Sequence, residues 1–220
     1  MTPLRGSIWE KIPAFISSKI YKYFLFLSPN TITIFSGIFG LLGLFIIFQN
    51  KIQHSIHLGT FLLFLFLILD FIDGDVARKT GKQSQIGAWL DPFFDKLIEG
   101  IILITAGHFM ISEDASTKNF LLVTFSIVFF QLNQFSLVMD RIIKTQDAKP
   151  VRHEIEIDYV KIEILKHFIL RNISLGHAAL VITFIVLVNI GLISQISYIY
   201  FYWSLLTLIP VVLAKFKKLI

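Results

Sequence analysis

The chain has no cysteine, which excludes disulfides and thiolate-held metals from its chemistry. Charge is scarce too. Asp, Glu, Lys and Arg make up 16% of the 220 residues, where a soluble domain carries about 25%. Six histidines are scattered without the spacing of a metal site. His54 and His57 lie three apart, but zinc takes three or four ligands, so this pair is expected to be solvated. No internal repeat or low-complexity tract is evident. The missing charge is replaced by Phe, Ile and Leu in long runs, giving 55% hydrophobic residues and a mean hydropathy of +0.74. Such a chain is expected to have lipid as its solvent, and its length fits one domain.

A membrane helix needs about 20 mostly apolar residues. Residues 31–49 and 119–139 carry no charge, and residues 56–69 are charge-free up to Asp70. Residues 86–111 are apolar but contain Asp91, Asp95, Lys96 and Glu99. Residues 172–214 are uncharged over enough length for two helices, with a turn expected near Asn189 and Gly191. The pattern predicts an all-α integral membrane protein with six spans, occupying residues 29–220. Residues 1–28 form a juxtamembrane segment. Within it Ile8, Ile12, Phe15 and Ile16 recur at helical spacing among Lys11, Lys19 and Lys22, as in an amphipathic helix lying in the interface, which Pro13 is expected to kink. The first strong apolar run starts near residue 31 and is long enough to span, unlike a cleaved leader. Residues 140–171 are the one long polar stretch, expected as loop through Pro150 and as a surface helix over residues 154–168.

With six spans, both termini share a side with residues 79–85 and 140–171. Seventeen of the 20 lysines and arginines fall on that side, and only Lys51 and Lys118 on the other. Positive charge collects in the cytoplasm, so both termini are expected there. Topology and anionic lipid account for the net charge of +5 without nucleic acid as a partner.

The chemistry is concentrated between Asp70 and Asp95. On a helix Asp70, Asp73, Gly74 and Ala77 share one face, and so do Gly87, Asp91 and Asp95. A short loop over residues 79–85 would bring the two helices together antiparallel, so that four carboxylates converge at the cytoplasmic end. At membrane depth each costs about 2.5 to 3.5 kcal/mol even on insertion-based scales, so a cation must hold them. Oxygen-only ligands suit hard divalent ions such as Mg²⁺ or Mn²⁺, and two ions could stabilise both the attacking and the leaving oxygen of a phosphoryl transfer. Gly74, Ala77 and Gly87 leave room for a ligand. The competing explanation is a buried ion-pair network with Arg78, Lys79 and Lys96, in which three cations face four acids. Asp75 lies on another face, four residues before Lys79, and is expected to form a surface pair with it. A cation transporter or channel is the alternative function, since intramembrane aspartates also line ion paths. Its path should continue across the bilayer, whereas the first, fourth, fifth and sixth spans hold no acidic residue.

The run Asp70-Phe-Ile-Asp73-Gly74-Asp-Val-Ala77-Arg78, followed by Gly87, Asp91 and Asp95 at fixed spacing, resembles the signature of the CDP-alcohol phosphatidyltransferase family without departure. Pro29-Asn30-Thr31-Ile32-Thr33 is similar to the family's other short motif, near the nucleotide. The resemblance implies a CDP-alcohol donor, usually CDP-diacylglycerol, with CMP as leaving group. It implies Asp70, Asp73, Asp91 and Asp95 as metal ligands, and Asp95 as general base. Asn30, Asp73, Gly74, Ala77, Arg78 and Gly87 would line the nucleotide site. Asp91-Pro92-Phe-Phe-Asp95-Lys96 resembles the branch that makes phosphatidylglycerophosphate. Gly87-Ala88-Trp89-Leu90-Asp91 instead resembles branches that make phosphatidylinositol phosphate. The Ser-x-x-Asp variant of serine-using members is absent. A phosphorylated polyol is thus the expected acceptor. Arg141 and Arg171, at the cytoplasmic ends of the fourth and fifth spans, are expected to bind its phosphate. A homodimer is expected from the family and from Ser36, Gly37, Gly40 and Gly43 on the first span, where small residues allow close approach.

Overall fold

The computed structural model describes residues 8–49, 53–146 and 177–216. Every element in them is helical. A 3₁₀ turn at Ile8–Glu10 leads into α1 (Lys11–Ile20), and a second at Tyr21–Phe24 follows it. Next come α2 (Pro29–Gln49), α3 (Gln53–Thr80), α4 (Gln85–Glu113), α5 (Thr117–Gln146), α6 (His177–Asn189) and α7 (Gln195–Phe216). Arg171 and residues 154–168 lie outside the described residues, and so does the side chain of Arg141.

α2 and the stretch Ser55–Thr80 of α3 are long and apolar enough to cross a membrane. At 1.5 Å per residue α2 alone reaches about 30 Å, the thickness of the hydrocarbon core. Among the described residues these two helices pack together most extensively, and α2 also packs on α4. The reason is written along one side of α2. Ser36, Gly37, Gly40 and Gly43 are all buried. A methyl group on Gly43 would stand 2.6 Å from the carbonyl oxygen of Gly59, so the two backbones touch. Gly37 receives the ring of Phe94, and Gly40 receives Ile98 of α4 and Phe66 of α3. The stripe of small residues is therefore filled from within the chain, and it does not supply the dimer face expected of it. In lipid this close packing, rather than apolar burial, is what holds helices together.

α3 and α4 make few direct backbone approaches, but α2 lies against both and α6 also touches both. The expected side-by-side hairpin is thus replaced by two helices bridged by neighbours, and their carboxylates reach across the gap. Their connection is shorter than the expected loop. Gly81, at φ +68°, ends α3 in the left-handed conformation that only glycine adopts freely. Ser84 caps α4 by accepting from the Gly87 amide at 2.9 Å.

The turn after α6 falls where the sequence places it. Leu192 N–H donates to the Leu187 carbonyl at 2.8 Å, and Gly191 N–H to that of Val188 at 3.2 Å. With Gly191 at φ +76° this is a Schellman cap. Beside it His57 Nδ1 meets Asn189 Oδ1 at 2.8 Å, so His57 ties α3 to α6 while staying exposed, as expected. α5 continues as helix to Gln146, beyond the apolar run that ends at Met139.

α1 lies on α3. Ile16 and Ile20 pack towards Ile68, Ile72 and Val76, together with Tyr21, Phe24 and Leu27, whereas Ile12 and Phe15 are exposed at 65% and 64%. One apolar edge therefore faces protein and the other is open. Pro13 falls in the first turn of α1, where its missing N–H costs no hydrogen bond, so it is placed to start the helix and not to break it. The Ser17 hydroxyl donates to Asp75 of α3 and pins the two helices together.

Candidate active site

The chemistry-bearing side chains collect where α2, α3 and α4 meet. Asp70 on α3 and Asp91 and Asp95 on α4 bring one carboxylate oxygen each within 4.8 Å of one another. The second and third are a helical turn apart, so they share a face. Next to them is a cleft of about 240 Å³. All six residues expected around the nucleotide line it: Asn30, Asp73, Gly74, Ala77, Arg78 and Gly87. Asp91 also opens into it, so cleft and carboxylate cluster are continuous. Asp73 stands between the two. It is 6% exposed, and its Oδ2 accepts from Thr33 Oγ1 on α2 at 2.5 Å.

The donor set fits a hard divalent ion. It is made of oxygen alone, and the mutual distances suit a shared cation. An ion-pair network explains the cluster less well. Arg78 Nη2 pairs with Asp75 at 2.7 Å, and Lys96 Nζ pairs with Glu99 at 2.7 Å. Two of the three cations that such a network would recruit are thus held by acids outside the cluster. The first pair also corrects the expected partner of Asp75, which is Arg78 instead of Lys79.

Gly74 and Ala77 line the cleft as expected, but Gly87 works differently from the open room expected of it. A methyl group on Gly87 would lie 2.7 Å from Asn30 Oδ1, so its hydrogen admits a side chain from α2. Asn30 Oδ1 in turn accepts from Ser84 Oγ at 3.0 Å, which ties the mouth of α2 to the cap of α4. Lys82 and Ser84 line the cleft as well. Lys82 reads in the sequence as a topology charge, and Ser84 as a loop residue. The helix-start pattern Ser-x-x-Gly was the available signal for the cap, and Thr33 lay inside the Pro29–Thr33 motif.

Deeper along α4, Glu99 is fully buried. His177, at the start of α6, sits between two acids, with Nε2 3.3 Å from Asp95 Oδ1 and Nδ1 3.3 Å from Glu99 Oε1. Glu99 continues the four-residue spacing of Asp91 and Asp95, which was the available signal for it, whereas His177 is far from both acids in the chain and carries none. Beyond Glu99, α4 continues with the fully buried Ile102 and Leu103. An ion path from the cluster would therefore run into apolar core.

Comparisons with known proteins agree with this geometry. Residues 26–210 match the family model described as CDP-alcohol phosphatidyltransferase. A phosphatidylinositol phosphate synthase of Streptomyces avermitilis is 33% identical over 75 residues, 34% of this chain and 30% of that protein. A CDP-diacylglycerol–serine O-phosphatidyltransferase of Bacillus subtilis is 37% identical over 73 residues, 33% of this chain and 39% of that protein. A CDP-diacylglycerol–glycerol-3-phosphate 3-phosphatidyltransferase of Mycoplasma pneumoniae is 34% identical over 122 residues, 51% of this chain and 52% of that protein. The chain thus spans about half or less of the length of these curated relatives.

Proposed function

Since the chain belongs to the CDP-alcohol phosphatidyltransferase family, we propose that it is a multi-pass membrane enzyme of phospholipid synthesis. It moves a phosphatidyl group from CDP-diacylglycerol to a hydroxyl of a phosphorylated polyol and releases CMP. The observation that carries this is the meeting of Asp70, Asp91 and Asp95 with a cleft lined by the motif residues of α3 and α4 and by Asn30. Two of the relatives above are named for inositol phosphate or glycerol 3-phosphate products or acceptors, which favours a phosphorylated acceptor over serine.

In this proposal Asp70, Asp73 and Asp91 hold Mg²⁺ or Mn²⁺, as two ions, with Asp95 as a ligand or neighbour beside them. When bound, these ions would neutralise the charge of the diphosphate. Asn30, Gly74, Ala77 and Gly87 shape the wall against the nucleotide, and Arg78 offers its planar fork to a phosphate. Asp95 takes the proton of the acceptor hydroxyl. The hydroxyl oxygen bonds to the phosphorus that carries the diacylglycerol, and the bond from that phosphorus to the bridging oxygen breaks. CMP leaves with the bridging oxygen. Arg141 and Arg171 are proposed to hold the acceptor phosphate. Helices α2 to α7 are proposed as the six spans, with both termini and the cleft on the cytoplasmic side. α1 would then lie in the interface, with Ile12 and Phe15 in lipid.

The test is CMP release by the purified protein from labelled CDP-diacylglycerol with Mg²⁺ and, in turn, glycerol 3-phosphate, inositol phosphate and serine. The proposal expects release with a phosphorylated polyol and loss of release on chelation. Release with serine alone would overturn the acceptor class. No release with any alcohol, or release indifferent to chelator, would overturn the reaction.

A further inference from the structure

Glu99 has no role in the reaction above, yet it is fully buried in an apolar helix. An ionised carboxyl there is expensive unless its oxygens are paired. Both are. Oε2 accepts from Lys96 Nζ at 2.7 Å, and Oε1 faces His177 Nδ1 at 3.3 Å. Lys96 and Glu99 are three apart on α4, so Glu99 is fixed to the same helix that carries Asp95.

The imidazole of His177 is fixed in its turn. Phe66 of α3 stands edge-on to it, with ring centroids 5.3 Å apart at 89°. A carboxylate only accepts, so Nδ1 facing Glu99 and Nε2 facing Asp95 can each hold an acid only by carrying a hydrogen, as both do in the imidazolium form. Nε2 and Asp95 Oδ1 are 3.3 Å apart, and both atoms are buried with no hydrogen-bond partner of good geometry among the described residues. One oxygen of Asp95 thus lies against the ring.

We propose that Glu99 and His177 form a positioning arm for Asp95, with Glu99 orienting the imidazole and the imidazole fixing the rotation of the Asp95 carboxyl. The arm rests on the transfer reaction proposed above, in which Asp95 receives the hydroxyl proton. A base must sit within hydrogen-bond reach of that proton, and a misplacement of about 1 Å costs on the order of a hundredfold in rate. A mere polar pin between α4 and α6 would use the same contacts, so the two roles must be separated by experiment.

Asp95→Asn, His177→Leu, His177→Gln and the double variant Asp95→Asn/His177→Leu separate them. For each, single-turnover CMP release at saturating donor and acceptor, affinity for CDP-diacylglycerol in Mg²⁺, and melting temperature in detergent are measured. His177→Leu should slow turnover about tenfold or more while donor affinity stays within about twofold. His177→Gln places an amide nitrogen near the position of Nε2 and should recover most of the rate. In the Asp95→Asn background, His177→Leu should cost nothing further, because residues acting through one group are not additive. Equal slowing in both backgrounds, or no recovery with Gln, overturns the arm. If His177→Leu does not yield folded protein, Glu99→Gln and Glu99→Met take its place. Gln keeps an acceptor for Nδ1 and should stay fast, Met should be slow, and equal rates would overturn the arm. A fast Asp95→Asn enzyme would instead refute the base assignment in the reaction itself.

Discussion

The hydroxyl of Thr33 on α2 donates to Asp73 of α3 at 2.5 Å, within a buried contact between residues 40 apart in the chain. It fixes one oxygen of the carboxylate that borders both the cleft and the acidic cluster. Hydrogen bonds to charged groups are worth about 1.5 to 3 kcal/mol, and about 1.4 kcal/mol is tenfold in affinity. Thr33→Val should therefore weaken Mg²⁺-dependent binding of CDP-diacylglycerol by about tenfold or more, with Thr33→Ser close to wild type. Isothermal titration in lipid discs would read this. Equal affinity for the two variants would show that the hydroxyl is idle.

Gly43 and Gly59 bring α2 and α3 into backbone contact. Gly43→Ala cannot be absorbed by a side-chain shift, since the atom it meets is a carbonyl oxygen. Overpacking of this kind costs about 1 to 3 kcal/mol. The melting temperature in detergent should fall, while the oligomeric state in native-lipid discs stays unchanged. The homodimer expected from the family resemblance would then need a face other than this stripe. If Gly43→Ala instead converts dimer to monomer at unchanged melting temperature, the stripe is a dimer face after all.

The absence of cysteine makes single-cysteine labelling clean. Gln83 in the α3–α4 connection and Ser112 at the far end of α4 are both exposed. With the cleft cytoplasmic, an impermeant maleimide added to intact cells should label a cysteine at Ser112 and not one at Gln83. The reverse pattern would invert the topology.

Asp75 holds Arg78 at the rim of the cleft and is itself held by Ser17. The Arg78 side chain is 43% exposed, so the ion pair is worth at most about 1 kcal/mol. Asp75→Ala should raise the donor KM by no more than about fivefold and leave kcat unchanged. A collapse of kcat would place Asp75 in the chemistry.

What could be read in the sequence was local. The positions of Asp70, Asp73, Gly87, Asp91 and Asp95 follow from a 3.6-residue period, and this period puts them on the right faces. The contacts that fix them come from other helices. Thr33, the Asn30–Ser84 pair and His177 carry no spacing that links them to the aspartates, because nothing along a chain reports which helix will lie beside which. Helix ends differ from the apolar runs for a related reason. Hydropathy marks where lipid ends, whereas α5 continues in polar sequence to Gln146 because its backbone bonds need no lipid. The small residues of α2 were legible as a close-packing face, but their partner inside the chain was not.

The proposed reaction depends most on a division of labour among the aspartates, in which Asp70 and Asp91 hold metal and donor while Asp95 accepts the proton. The most direct measurement compares donor affinity in Mg²⁺ with single-turnover CMP release in Asp70→Asn, Asp91→Asn and Asp95→Asn. Asp70→Asn and Asp91→Asn should lose metal-dependent donor binding. Asp95→Asn should bind the donor nearly as wild type and turn over at least about a hundredfold more slowly, the contribution expected of a general base. Near-normal turnover in Asp95→Asn, or intact metal-dependent binding in Asp70→Asn and Asp91→Asn, would contradict it.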